Sequence, residues 1–301
     1  INVYKDLTVA GELAIERYNF MDRATDASTI DKYNYINYAL SHWGAWPRMN
    51  ILRNAQRRLT LPSFIVEMDR DVLLPNKAKL VYIRQITNLQ SITMSVTRLN
   101  TAHALELDPN QPNDYGRISR LLLANTTTTT THRYVGQPPY KICCDSMQLD
   151  GLAAGVYLLE FTTDNKDVKP ERKLLHVSSL TALARPLPNH QMRLVALDAA
   201  SGQPVAGAHI RLSKENWQTR KDQVIKIVTT DRNGEAIYTG KEEPYSMMVY
   251  TENDRFRPKI AVNGNISFPD EADNAELNIN VFADRSLYRP GKIVKTSVVA
   301  Y

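Results

Sequence analysis

The residues of this chain that are best able to do chemistry are its histidines and cysteines. Two histidines four residues apart on a helix, with a glutamate after the first, can bind zinc and activate water. The six histidines are scattered without such spacing: His42, His103, His132, His176, His190 and His209. The chain also has no nucleophile elbow, no glycine-rich phosphate loop and no EF-hand loop. The sequence therefore predicts a protein that is not an enzyme and has no catalytic residue, no metal ligand and no cofactor.

The two cysteines are adjacent, at Cys143 and Cys144. Neighbouring cysteines rarely bond to each other, because the small ring strains the peptide between them. A metal or redox site is the alternative, but no Cys-x-x-Cys pair or histidine-rich stretch accompanies them. We therefore expect two small side chains on a β-strand, pointing to opposite faces.

A second candidate for chemistry is the stretch Asp231, Arg232, Asn233 and Gly234, which begins like a calcium-binding loop. The further acidic ligands that calcium needs are missing at the required spacing. A hairpin turn is therefore the favoured interpretation of these residues.

The composition is that of an ordinary globular protein with about two or three domains. Of its 301 residues, 43% are hydrophobic and 23% are charged, and the net charge is +5. This mild excess of basic residues is spread along the chain, which predicts no nucleic-acid partner. No apolar run is long enough to cross a membrane, and no signal peptide is visible. Since the chain begins at Ile1 without methionine, we expect an internal fragment of a longer protein.

Residues 1 to about 58 are predicted to be helical. Residues 7–24 have apolar side chains at mixed spacing and few helix breakers. A second helix should begin after cap candidates at residues 26–29, with Asp31 in its first turn, and should end near Gly44. Its apolar face follows three- and four-residue spacing through Tyr33, Ile36, Leu40 and Trp43. These patterns together predict a short helical segment at the N-terminus.

A third helix is predicted to start at Pro47 and to include residues 49–59, since proline suits the first helical position. Trp43, Trp46 and several tyrosines lie in this region. Such a cluster could form a platform that binds sugars. Its helical spacing favours packing between helices instead.

From Pro62 onward the sequence has the pattern of β-strands. Strands are predicted at residues 63–69, 79–86, 91–99, 155–162 and 174–180. Six consecutive threonines at residues 126–131 favour an extended strand that is polar on both faces, as at the edge of a sheet. Residues 108–114 are predicted to be a loop. The proline-rich residues 184–189 are predicted to be a linker that ends this domain.

Residues 192–251 predict a second domain of strands joined by tight turns. The strands are expected at residues 192–197, 209–213, 224–230, 235–239 and 246–251. Glycines at 202, 207 and 234 fall in the turns, where a positive φ is easily adopted. No residue in this pattern of strands and turns indicates a catalytic role.

The chain ends with a predicted strand, arch and strand. Leu277, Ile279 and Val281 alternate with asparagines, and Val298 and Ala300 lie on one face of the second strand. The arch reads Asp284, Arg285, Ser286, Leu287, Tyr288, Arg289, Pro290 and Gly291. Its Pro-Gly pair suits a type II turn.

This order of residues resembles the first hairpin of a macroglobulin domain in the alpha-2-macroglobulin family. The matching positions are Asp284, Arg285, Tyr288, Arg289, Pro290 and Gly291. Residues 64–99 and 192–251 are similar to the first and second macroglobulin domains of bacterial members. The second stretch is also similar to carboxypeptidase-regulatory and prealbumin-like sandwiches. An ordinary proline-glycine hairpin of an unrelated sandwich is the alternative for the arch.

The resemblance implies a mainly β fold of tandem antiparallel β-sandwiches, macroglobulin or Ig-like, with a short helical N-terminal segment. The domains would be a helical segment at 1–58, sandwiches at 59–185 and 186–268, and the first hairpin of an incomplete domain at 269–301. The parent protein would be a bacterial one that traps and inhibits proteases in the periplasm or at the cell surface.

The chain itself would then be scaffold, with the remaining domains of the parent as its partners and proteases as the parent's targets. The resemblance leaves room for a membrane anchor in a segment that this chain does not contain. The Cys-Gly-Glu-Gln thioester sequence of the family is not present here. A surface adhesin or glycan-binding module built of tandem sandwiches is the alternative function.

Overall fold

The structure is a computed structural model that describes residues 9–24, 26–68, 71–136, 140–216, 221–262, 279–283 and 296–300. Within these residues, three N-terminal helices precede two β-sandwiches, antiparallel except for one short parallel pair, and a separate strand pair. The predicted fold class, mainly β with a short helical N-terminal segment, is confirmed. Within the described residues, no helix is long and apolar enough to cross a membrane.

The three helices pack on one another around a small core. They are α1 (Ala10–Ala24), α2 (Thr29–Trp43) and α3 (Asn50–Thr60). Ser28 caps α2, because its hydroxyl accepts a hydrogen bond from the Asp31 amide at 3.1 Å while the Asp31 carboxylate accepts from the Ser28 amide at 3.2 Å. The predicted role of Asp31 in the first turn, and the end of the helix near Gly44, are therefore confirmed.

The aromatic residues of this segment pack between helices. Tyr35 is buried and donates its hydroxyl hydrogen to the Ala14 carbonyl at 3.0 Å, while Trp43 and Trp46 pack against the same core. The predicted helix start at Pro47 is wrong, since α3 begins at Asn50. The residues before α3 form turns in which the Met49 amide donates to the Trp46 carbonyl, and the Trp46 indole donates to Glu12 of α1 at 3.1 Å.

The first sandwich consists of a three-stranded and a five-stranded sheet. Its strands are β1 (Ser63–Glu67), β2 (Val72–Leu73), β3 (Lys79–Thr87), β4 (Ser91–Arg98), β5 (Thr128–Arg133), β6 (Cys143–Leu149), β7 (Gly155–Thr163) and β8 (Glu171–Val177). The sheet orders are β1-β3-β6 and β2-β8-β7-β4-β5. The predicted alternation in β4 is confirmed, because Ile92, Met94 and Val96 are buried.

The threonine run forms an exposed edge strand as predicted, but the strand begins only at Thr128, since Thr126 ends a short 3-10 turn and Thr127 caps it. β5 lies at one edge of the five-stranded sheet, and all four of its threonines are exposed. Two other predictions fail in detail. A short helix, α4 (Pro112–Ile118), begins inside the predicted loop at 108–114, with its proline in the first turn. The single strand predicted at 174–180 is divided, since β8 ends at Val177 and the next strand begins at Leu180.

The second sandwich consists of seven strands in two sheets. They are β9 (Leu180–Leu187), β10 (Gln191–Asp198), β11 (His209–Asn216), β12 (Lys221–Thr229), β13 (Glu235–Thr239), β14 (Ser246–Tyr250) and β15 (Ile260–Ala261). The sheet orders are β13-β10-β9 and β12-β11-β14-β15. Their facing sides bury a shared apolar core that includes Leu194, Ile210, Leu212 and Val249.

The linker predicted at 184–189 is wrong. Residues 184–187 belong to β9, which pairs with β10 from end to end. β9 is an edge strand, so Pro186 lies at the edge of its sheet, where a missing amide hydrogen can be tolerated. The chain therefore passes from one sandwich to the next at Ser178 and Ser179, between β8 and β9.

The turn at Asp231 is a tight turn, but the favoured hairpin is wrong, because the turn joins β12 of one sheet to β13 of the other. The Asp231 carboxylate accepts hydrogen bonds from the amides of Asn233 at 2.8 Å and Glu235 at 2.9 Å. Gly234 has a φ of +72°, and a Cβ there would lie 2.7 Å from the Pro204 side chain and 2.8 Å from the Ala196 carbonyl oxygen. Only glycine meets both demands.

The C-terminal strand pair is also present. β16 (Ile279–Ala283) and β17 (Thr296–Ala300) are antiparallel, with Val281 opposite Val298. The arch between them lies outside the described residues, as do all six family-motif positions: Asp284, Arg285, Tyr288, Arg289, Pro290 and Gly291.

Candidate functional site at the junction of the two sandwiches

A buried carboxylate joins the two sandwiches. Asp254, which follows β14, is only 7% exposed. One carboxylate oxygen accepts hydrogen bonds from the Ser178 hydroxyl at 3.0 Å, the Ser179 amide at 2.8 Å and the Ser179 hydroxyl at 3.2 Å. The other accepts from the Phe256 amide at 3.2 Å. A buried charge is tolerated when its oxygens are satisfied in this way, so Asp254 fixes the connection between β8 and β9.

Residues 251–259, here called the junction segment, make further contacts with the first sandwich. The Ala104 amide donates to the Arg255 carbonyl at 2.9 Å. Phe256 packs against an apolar cluster of the first sandwich that contains Leu99, Ile118 and Val156. The two sandwiches therefore meet through apolar packing as well as hydrogen bonds.

Lys259 adds an ionic contact at the same boundary. Its ammonium group lies 2.6 Å from the Glu106 carboxylate, and it also pairs with Asp222 of β12. Burial alone would lower the pKa of Lys259, but hydrogen bonds to the two carboxylates outweigh it and raise the pKa. Lys259 is therefore charged at neutral pH and links β12 to the loop that contains Glu106.

A cleft of about 640 Å³ opens beside this junction, mainly on the first sandwich. Its charged lining residues are Asp71, Glu106, Asp108, Asp114, Arg172, Lys173 and His176. Its size and polarity make it a candidate binding site.

Most of the polar groups around this cleft hold its own walls together. Asn110 exchanges two hydrogen bonds with the backbone of Arg172, at 2.9 and 3.1 Å. The Arg172 guanidinium donates to Glu160 at 2.6 Å and lies 3.8 Å from the centre of the Tyr115 ring. The Asp114 carboxylate accepts from the Asp108 amide at 3.0 Å. These contacts dock the loop before α4 onto β8.

His176 is the buried titratable group of the cleft, with 5% of its surface exposed. Its Nε2 lies 3.2 Å from the Leu105 amide nitrogen and 3.0 Å from the Leu105 carbonyl oxygen, while no described residue hydrogen-bonds its buried Nδ1. Burial lowers the pKa of His176, so the ring is neutral at pH 7. No serine, threonine or cysteine is hydrogen-bonded to it among the described residues, and a general base requires such reach.

A second histidine belongs to a polar cluster between the edges of the two sheets of the first sandwich. His132 of β5 lies 2.7 Å from Asp145 of β6, and the Tyr134 hydroxyl donates to the same carboxylate at 3.0 Å. Burial would raise the pKa of Asp145, but the hydrogen bonds from His132, the Ser146 amide and Tyr134 outweigh it and lower the pKa. Burial also raises the pKa of Tyr134. The cluster bridges the edges of the two sheets.

The cysteines occupy a strand, as expected. Cys143 is half-buried in β6 and packs against the sandwich core, with its thiol donating to the Ile86 carbonyl at 3.6 Å. Cys144 is exposed. Within the part of the chain that the structure describes, no group of three or more histidine, cysteine or acidic residues could hold a metal ion.

Sequence reasoning did not identify Asp254 or His176. Asp254 lies in a polar stretch after a strand, which is typical of an exposed turn, and no local pattern marks its burial. His176 stands in an apolar strand, where a histidine that only packs in the core is as common as one with a functional role. Both become significant only through contacts with residues more than 70 positions away.

Comparisons with known proteins give likeness in fold only. No protein-family model and no curated protein matches the chain. Among solved structures, native alpha-2-macroglobulin from Escherichia coli spanning domains MG0-NIE-MG1 is 13% identical with a TM-score of 0.45, covering 66% of this chain and 64% of that one. A shorter NIE-MG1 structure of the same protein is 14% identical with a TM-score of 0.41, covering 67% and 98%. The class 5 fimbrial chaperone CfaA is 9% identical, with a TM-score of 0.24 and coverage of 62% and 90%.

Proposed function

We propose that this chain is a non-catalytic scaffold region of a bacterial alpha-2-macroglobulin-like protein. The parent protein would trap and inhibit proteases in the periplasm or at the cell surface. Its partners would be the remaining domains of the parent and the trapped proteases, with no nucleic acid. The observation that carries the scaffold role is the junction, where Asp254, Phe256 and Lys259 fix one sandwich against the other.

The use of polar groups supports this role. Asp254 accepts a hydrogen bond from the Ser179 backbone, and Asp145 binds His132 and the Ser146 backbone, so these polar groups hold strands and connections together. An enzyme instead directs a nucleophile, a base and an electrophilic group at one point in space. The family assignment itself is supported by the arch sequence, in which the order of residues from Asp284 to Gly291 resembles that of a macroglobulin hairpin.

The absence of catalysis can be tested on the chain as it stands. Purified protein would be assayed with casein, peptide esters and aryl glycosides as substrates, with His176→Ala and His132→Ala as variants. We expect no turnover above buffer in any of these assays. Turnover that a single substitution abolishes would overturn the non-catalytic assignment.

Protease trapping requires the full-length parent. A trapped protease keeps its active site but is shielded from large molecules, so cleavage of casein should fall while cleavage of a small peptide substrate continues. The chain alone should leave both rates unchanged. Equal loss of both activities with the parent, or no loss of either, would contradict trapping, and saturable binding of the chain to polysaccharides would favour the adhesin alternative.

A further inference from the structure

A small pocket lies on the outward face of the second sandwich, where the first sandwich partly covers it. Its volume is about 190 Å³, and it is lined by His103, Arg211, Ile227, Met248, Tyr250 and Arg255. None of these lining residues is acidic. His103 belongs to a loop of the first sandwich and Arg255 to the junction segment, so groups from both sides of the boundary converge on one space.

Arg211 stands at the centre of this face. It lies on β11, directly opposite Ile227 of β12 on one side and Met248 of β14 on the other. Its neighbours along the strand, Ile210 and Leu212, are fully buried in the core, so Arg211 points outward. Its Nε is buried and has no hydrogen-bond partner among the residues that the structure describes. Among the described residues, no carboxylate forms an ion pair with it.

The remaining walls are held in place by contacts of their own. The Tyr250 ring lies 5.2 Å from the His209 ring, and the Arg255 guanidinium lies 5.8 Å from the centre of the Tyr250 ring. The Arg255 backbone is anchored by the Ala104 amide at 2.9 Å. The pocket is therefore formed before any ligand arrives, which reduces the entropic cost of binding.

The charge of the pocket indicates which kind of ligand it suits. A guanidinium N–H that is withdrawn from water and left without an acceptor is unfavourable, and the penalty is removed when an acceptor is supplied. Apolar neighbours such as Ile227 and Met248 lower the local dielectric constant and strengthen any charge-assisted hydrogen bond that forms. The planar fork of arginine is suited to two oxygens of a carboxylate, phosphate or sulfate.

We propose that this pocket binds an oxyanionic group, with Arg211 as its principal donor and Arg255 and His103 beside it. The apolar wall formed by Ile227, Met248 and Tyr250 would hold the small apolar or ring-shaped body that carries the anion. The group belongs either to a free small molecule or to an acidic side chain of a protein partner. The proposal stands on the pocket alone and does not depend on the assignment to the alpha-2-macroglobulin family.

The test is thermal unfolding of the full chain with sodium phosphate, sodium sulfate and sodium benzoate, each compared with sodium chloride at equal ionic strength. At about ten times a millimolar dissociation constant, we expect a saturable rise in Tm of roughly 2–4 °C. A two-dimensional amide NMR titration should show saturable shifts in β11 and β14.

The deciding variant is Arg211→Met, which keeps an unbranched apolar stem and removes the donors. It should abolish the anion-dependent rise in Tm, whereas its Tm without anion should equal or exceed that of the original protein, because a buried unsatisfied N–H is gone. A purely structural arginine would lower the Tm instead. Arg120→Met, at an exposed position of the first sandwich, removes the same charge and should leave the anion response intact.

The outcomes separate clearly. An equal rise in Tm for Arg211→Met, or no rise for the original protein with any of the three anions, would overturn the proposal. If acetylated tetraglutamate binds at least tenfold more tightly than benzoate, with Arg211→Met abolishing both, the pocket takes acidic side chains of a partner. If phosphate or benzoate binds as tightly as the peptide, the ligand is a free small anion.

Discussion

The charged cleft of the first sandwich and the small basic pocket of the second differ in how their charges are balanced. The cleft is larger and has charges of both signs, yet Arg172 pairs with Glu160 and Asn110 pairs with the β8 backbone. The residues that line the pocket include basic but no acidic side chains, and within the described part of the chain the Nε of Arg211 has no hydrogen-bond partner. The difference teaches that compensation of charge, more than size, separates a structural polar cluster from a candidate ligand site.

The largest expected effect comes from breaking the contact that joins these two regions. Asp254→Ala would leave the Ser178 hydroxyl, the Ser179 amide and the Phe256 amide without their acceptor. We expect a loss of about 2–4 kcal/mol in the free energy of unfolding, measured with urea. Small-angle X-ray scattering should also show a wider range of angles between the sandwiches.

Glu252→Ala, in the exposed turn just before, serves as the control and should change stability by less than about 0.5 kcal/mol. A similar effect of the two substitutions would mean that the Asp254 contacts do not hold the junction.

A matched pair of arginine substitutions tests the comparison directly. Arg172→Met removes the partner of Glu160 and the cation stacked on Tyr115, so it should destabilise the first sandwich by about 1–2 kcal/mol. Arg211→Met, the same change at an uncompensated arginine, should be neutral or stabilising. The free energy of unfolding of both variants would be measured by chemical unfolding under the same conditions. Equal destabilisation would mean that the arginines of the cleft and the pocket do not differ in how their charges are compensated.

A smaller effect is expected from pH at the outer edge of the first sandwich. Hydrogen bonds from His132, Ser146 and Tyr134 lower the pKa of Asp145 in the folded protein. Its contribution is therefore present above the unfolded pKa of about 3.9 and is lost as pH falls through the lower, folded value. Since both side chains are partly exposed, that contribution should not exceed about 1 kcal/mol.

The measurement is the stability difference between the original protein and Asp145→Asn, followed from pH 7 to pH 2.5. The difference should be constant above pH 5 and should shrink in the acid range. A difference that grows with acidity would reverse the sign of the proposed linkage. Asp167→Asn, at an exposed aspartate of the same sandwich, provides the comparison and should show no such change with pH.

The sequence predicts the fold well where local patterns decide it. The cap of α2 at Ser28 and Asp31, the alternation in β4 and the polar edge strand β5 all depend on neighbours close in sequence. Pro186 is the exception, because proline suggests a linker, whereas an edge strand tolerates it equally well. The position of a strand within its sheet is set by distant residues.

The candidate sites could not be predicted for the same reason. Arg211 reads as an ordinary polar position of an alternating strand, and its lack of a partner appears only when β12, β14 and the loop containing His103 are assembled around it. Asp254 reads as a turn residue until Ser178 and Ser179 are placed beside it. Such properties follow from tertiary contacts and leave no mark in local spacing.

The two-residue passage from β8 to β9 has a mechanical consequence. Any tension between the sandwiches must pass through the backbone of Ser178 and Ser179, through the hydrogen bonds that Asp254 makes with them, or through the contacts of Ala104, Phe256 and Lys259. These connections act in parallel, so the force is distributed among them. A larger separation of the sandwiches would have to stretch all of them together. A force on one sandwich is therefore transmitted to the other with little relative movement, because the boundary between them is held at several points.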